Sequence, residues 1–97
     1  MIRTERLVQS FLELTAIDNP TLYERELSEC LRRRFAALGI VLAEDGAGAA
    51  IGGNAGNLYA YLPGDETLAP ILLSAHMDAV APACAKKPVL HPDGRIT

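Results

Sequence analysis

The sequence predicts an α/β layer: two N-terminal helices packed on a mixed sheet, with part of the covering layer missing. Three observations predict it. Two segments with helical apolar spacing come first, closed by recognisable stop signals. Short β-type runs follow, separated by Gly- and Pro-containing turns. The last of these runs, Ile71-Leu72-Leu73-Ser74-Ala75, is apolar at every position but one. Such a run reads as a central strand that expects cover on both faces, and two helices can cover only one.

The elements are justified in chain order. Thr4 can cap a first helix running to about Ala16, with Leu7, Val8, Phe11 and Leu12 on one buried face. Asp18-Asn19-Pro20 ends it, because the residue before proline avoids helical backbone. Thr21-Leu22-Tyr23-Glu24 reads as a capping box for a second helix, whose apolar face is Leu27, Cys30, Leu31, Phe35 and Leu38. Gly39 supplies a left-handed stop. Ile40–Ala43 and Leu58–Leu62 read as strands. Between them, Asp45 to Gly56 holds five of the eight glycines and reads as a mobile connection. It lacks the Gly-Lys-Ser/Thr ending and the strand–helix setting of phosphate-binding loops. Val89 to Ile96 has a turn signal between two apolar stubs, a hairpin with a short second arm.

Composition narrows the function classes. The chain has 97 residues, at most one small domain, and residues 1–97 are read as one segment. Apolar residues make up 49%, enough for a core. A net charge of −3 argues against a nucleic-acid partner, and the run Arg32-Arg33-Arg34 reads as a solvated helix face. No apolar stretch approaches membrane-spanning length and no signal peptide is evident, so a cytoplasmic protein with no membrane partner is expected. Cys30 and Cys84, far apart and outside any paired motif, read as free thiols of a reducing compartment. Asp18 and Asp45 read as helix-stop and loop residues, and His91 as an exposed turn residue.

The chemistry-bearing feature is His76-Met77-Asp78 at the end of the apolar run. Ligands in open α/β sheets gather at the C-terminal ends of strands. Residues two apart on a strand share a face, so His76 and Asp78 can look into one cleft. Two readings stand on spacing alone. The pair is a metal-binding imidazole with the carboxylate that orients it, or a hydrogen-bonded strand end with no ligand. There is no Gly-x-Ser-x-Gly around Ser74 or Ser10, so serine-nucleophile chemistry has no support.

Four segments stand out together: Glu5-Arg6-Leu7-Val8 with Phe11-Leu12-Glu13-Leu14, Glu24-Arg25-Glu26-Leu27, Ile51-Gly52-Gly53-Asn54-Ala55-Gly56-Asn57-Leu58, and Ser74-Ala75-His76-Met77-Asp78. In this order and spacing they resemble the zinc-dependent exopeptidases related to peptidase T, whose wider relatives include glutamate carboxypeptidases and amino-acid deacylases. The last segment is the most specific. Ala79 departs from the Thr expected there, at a position that is not a ligand. The resemblance implies part of a dizinc exopeptidase catalytic domain, with His76 as a ligand to one of two Zn2+ ions and Asp78 as the carboxylate that orients it. It implies short peptides or N-acyl amino acids as substrates of the complete enzyme. It places the bridging Asp, the Glu-Glu pair, another acidic ligand, a final His and a lid domain beyond Thr97. The 97-residue chain alone is then expected to be inactive, marginally stable and prone to self-association through exposed sheet. The alternative is a non-catalytic α/β interaction module that keeps the same helix–sheet layer.

Overall fold

A computed structural model describes all 97 residues, Met1–Thr97. Helix α1 spans Thr4–Thr15. Arg3, not Thr4, holds the cap position, with extended backbone (φ −88°, ψ 97°), and no side chain bonds the first turn. A cap must sit outside the helix, and Thr4 lies one residue inside it. The apolar stripe is only half covered: Val8 and Leu12 are half-buried, while Leu7 and Phe11 remain exposed.

Helix α2 spans Arg25–Ala37 and buries Leu27 and Ser28. Its start corrects the expected capping box. Thr21 does not bond the first turn. The Glu24 carboxylate instead accepts the Leu22 N–H at 2.9 Å. The helix's first amide, on Arg25, is satisfied from 29 residues away by Asn54 Oδ1 at 3.0 Å. Its end is as expected. Gly39 takes φ +78°, its N–H donates to Ala36 O, and the Ile40 N–H donates to Phe35 O, each at 2.9 Å. That pair of bonds is a Schellman stop.

Strand β1 is Ala43–Glu44, the single-turn helix α3 is Ala47–Ala50, and strand β2 is Leu58–Tyr59. The strands pair antiparallel, Ala43 with Tyr59 and Glu44 with Leu58. Both are shorter than their apolar runs. The expected mobile connection is instead a closed loop tied by its own bonds. Asp45 accepts from the Ala47 N–H, the Asn57 N–H, the Asn57 side-chain amide and the Tyr59 hydroxyl, at 2.8 to 3.1 Å. Gly48 and Gly56 are needed for close approach. A Cβ on Gly48 would stand 1.9 Å from the Ala55 carbonyl oxygen, and one on Gly56 would stand 2.1 Å from that of Asp45.

Glu44 ties this loop to α2. It accepts from the Gly56 N–H at 2.8 Å and from Arg25 and Arg32, each at 2.9 Å. The arginine run is therefore not simply a solvated face. Arg32 also donates to Leu42 O at 3.2 Å, and Arg34 bonds Ser10 and Glu13 of α1. Of the three, only Arg33 is exposed.

The mixed helix and small antiparallel sheet agree with the expected fold class, but the third strand is not paired. Residues 69–76 have no backbone hydrogen-bond partner, and Ile71, Leu72 and Leu73 are about nine-tenths exposed. A strand is held by its neighbours, and no strand lies beside this run. Pairing resumes where the run ends, at a single parallel bridge between Pro20 and Ala79. The hairpin also forms: Leu90 bridges Ile96, with Gly94 in its turn at φ +85°. His91 is half-buried within it, its Nε2 2.7 Å from Thr97 Oγ1.

The core is small. Leu27, Leu42 and Ala83 are the buried apolar residues, so the 49% apolar content does not become a packed interior. The radius of gyration is 15.6 Å, against ~12.5 Å for a compact domain of this length. Cys30 and Cys84 are free thiols. No helix is long and apolar enough to cross a membrane.

Candidate functional site

The site is assembled where the chain between α1 and α2 runs beside residues 77–79. Asn19 makes the junction. Its N–H donates to Ala83 O at 3.1 Å, its carbonyl accepts the Ala79 N–H at 3.0 Å, and its Nδ2 donates to Met77 O at 2.7 Å. Lys86 Nζ donates to the remaining Asn19 Oδ1. Every polar group of this buried residue is thereby used. Next to it, the Asp18 carboxylate accepts the Ala85 N–H at 2.8 Å.

On this support stand the two residues of the His-x-Asp. His76 Nδ1 lies 3.1 Å from Asp78 Oδ1. The other carboxylate oxygen, Oδ2, accepts the Thr21 hydroxyl at 2.8 Å. These bonds, the Thr21 hydroxyl first and the imidazole second, hold the Asp78 carboxyl below its ordinary range. Asp78 is therefore ionised and can only accept, which assigns the proton between the two groups to His76 Nδ1. Nε2 then points away from Asp78. The His76 ring is 93% exposed and Asp78 is one-third exposed.

The sequence-predicted pair is therefore in contact, in the orientation a metal-ligating histidine takes. What the pair does not have is company. No group of three or more His, Cys, Asp or Glu side chains that could hold a metal ion forms in the chain. The residues present fit one zinc-ligand position, not the set of three or four that a zinc site uses. A cavity of about 280 Å³ lies elsewhere, between Arg25, Glu44, Asp45, Asn54 and the glycine loop, and His76 is not in its wall.

Two participants carry no site signal in the sequence: Thr21 reads as a helix cap and Asn19 as part of a helix stop. Their partners lie 57 and 58 residues away, a separation at which a single sequence carries no pairing signal. One local anomaly marks the place. Leu22 takes φ +75°, and the Tyr23 N–H closes the turn onto Pro20 O at 2.9 Å. A bulky residue in left-handed backbone costs on the order of 1–3 kcal/mol and is often found beside functional groups.

No family model matches the sequence. The uncharacterized protein YqjE of Bacillus subtilis (strain 168) is 39% identical over 90 residues, 93% of this chain and 24% of that protein. The crystal structure of an aminopeptidase PepT from Bacillus cereus matches with a TM-score of 0.86 at 37% identity, over 94% of this chain and 25% of that one. Over this stretch the chain is similar to peptidase T-type enzymes. A tripeptidase from Staphylococcus aureus gives the same result, with a TM-score of 0.90 at 36% identity, over 99% of this chain and 26% of that one. The chain thus spans about a quarter of the length of the proteins it matches. Both of these structures are peptidases by name.

Proposed function

We propose that this peptidase T-like chain supplies part of a zinc-dependent exopeptidase site that hydrolyses short peptides or N-acyl amino acids. The observation that carries the reading is the His76–Asp78 contact. An ionised carboxylate on Nδ1 fixes the tautomer and leaves Nε2 free as a metal ligand. When bound, two Zn2+ ions would lower the pKa of a water and polarise the scissile carbonyl. His76 would hold one of the ions through Nε2, with Asp78 keeping the ring turned toward it. Neither residue excludes water or grips substrate, because the ring is 93% exposed. One imidazole does not retain a catalytic zinc, so the 97-residue chain by itself is inactive. The reading includes a cytoplasmic setting, supported by two free thiols. It also includes association of chain copies through the exposed Ile71-Leu72-Leu73 run, with no nucleic-acid or membrane partner.

Zinc titration and peptide hydrolysis test it together. The purified chain should bind zinc weakly, lose that binding in His76→Ala, and leave di- and tripeptides intact. In a longer chain with full activity, Asp78→Ala should lower activity or zinc affinity about 10–100-fold. Chelator-sensitive hydrolysis by the 97-residue chain would overturn the inactive assignment. Zinc binding unchanged in His76→Ala would overturn the ligand assignment.

A further inference from the structure

We infer that Thr21 is a positioning residue for His76, acting through Asp78, an inference that rests on the zinc-ligand reading above. The observation is a relay of three side chains. The Thr21 hydroxyl donates to one oxygen of Asp78 at 2.8 Å, and the His76 imidazole engages the other at 3.1 Å. A carboxylate held at one oxygen turns freely about its last bond, which has no sharp rotamers. Held at both oxygens, it has one plane, and that plane sets the ring.

Packing cannot do this instead. The ring is 93% exposed, so no neighbouring side chain confines it. Hydrogen bonds are the means left to orient it.

The hydroxyl is itself delivered by fixed backbone. Pro20, on one side, bridges Ala79, the residue after Asp78. Leu22, on the other, is locked in left-handed backbone, with its N–H on Glu24 Oε1 and its carbonyl accepting the Asn54 N–H, each at 2.9 Å. Thr21 is not needed as a helix cap, since Asn54 satisfies the first amide of α2. Asn19 holds the facing strip through Met77 O and the Ala79 N–H. Residues 19–21 thus form a rail along residues 77–79, and Thr21 is the point where the rail touches the acidic side chain.

The test uses the 97-residue chain with nitrogen-15 NMR of the His76 ring at about pH 9, where an unperturbed imidazole is neutral. Wild type should show the Nδ1–H tautomer in excess. Thr21→Val, which keeps the shape and removes the hydroxyl, should move the tautomer ratio at least halfway to that of Asp78→Ala. Zinc ion alone should bind His76 about 10-fold more weakly in Thr21→Val, at the low end of the usual cost of losing an orienting partner. Thr21→Ser should restore both readouts. Helical circular dichroism checks folding, and Thr21→Ala is compared with Thr21→Ser where Thr21→Val loses that signal. A wild-type tautomer ratio in Thr21→Val or Thr21→Ala, with a shifted ratio in Asp78→Ala, overturns the role of Thr21 and leaves the zinc reading standing. A ratio that depends on Thr21 without any zinc response at His76 upholds the positioning role and overturns the zinc reading.

Discussion

Residues 44–57 and residues 69–76 are held in opposite ways. The first region is polar and glycine-rich, and its two carboxylates are bonded throughout: Glu44 is bonded from three residues and Asp45 from three. The second is apolar and β-prone, yet its backbone bonds nothing and its leucines face outward. The composition of each suggested the reverse. The difference is one of reach. Polar groups close their bonds with partners within the chain, and glycines let the backbones approach. A two-faced apolar strand needs whole surfaces laid against it, and the elements of this chain provide none.

The largest expected effect falls on the first region. Gly48→Ala would place a methyl group 1.9 Å from the Ala55 backbone oxygen, so backbone must shift. Alanine is the better helix former by up to about 1 kcal/mol, but overpacking costs about 1–3 kcal/mol and more where backbone must move. Urea unfolding should show a clear loss of stability. A neutral result would mean the loop is looser than its bonds suggest.

An acid titration sharpens the same side of the comparison. Glu44 is lowered from 4.5 to about 2 by the Gly56 amide and then by Arg25 and Arg32. Asp45 is lowered from 3.8 to about 2, first by the Asn57 side chain. Both folded values lie below the unfolded ones. Their stabilisation is therefore present above about pH 4.5 and lost as pH falls toward about 2. Glu44→Gln should be less stable at neutral pH and flatter across that window. A mutant curve parallel to wild type would remove Glu44 from the account.

The smallest effect on stability belongs to the second region. Leu72→Ser at a position 89% exposed should change unfolding free energy by no more than about 0.5 kcal/mol. It should instead reduce association of the chain in sedimentation. A large stability loss would show that the run is covered within the monomer, and the contrast between the regions would fail.

Much of this was legible in the sequence. The two helices, the Gly39 stop, the Leu58 strand start and the hairpin turn each rest on local signals, and each is where the local chemistry puts it. His76 and Asp78 were legible as a pair because their contact spans two residues. Thr21 was misread for a definite reason. Its hydroxyl suits a cap three residues before Glu24, and the competing acceptor is distant in sequence. The strand at Ile71 was over-read in another way, since hydropathy reports what a segment tends to bury and not what stands beside it.

The carboxylate of Glu44 joins a helix, a strand and a glycine loop through one side chain. Fluctuations of these elements are then not independent. For the Gly56 amide to open, its acceptor must be released, and two arginines two turns apart on α2 lose registry with it. The start of that helix, already tied to the loop through Asn54, opens in the same event. In a chain with so little core, this makes the middle third a single cooperative unit, while the stretch before His76 is free to find its own partners.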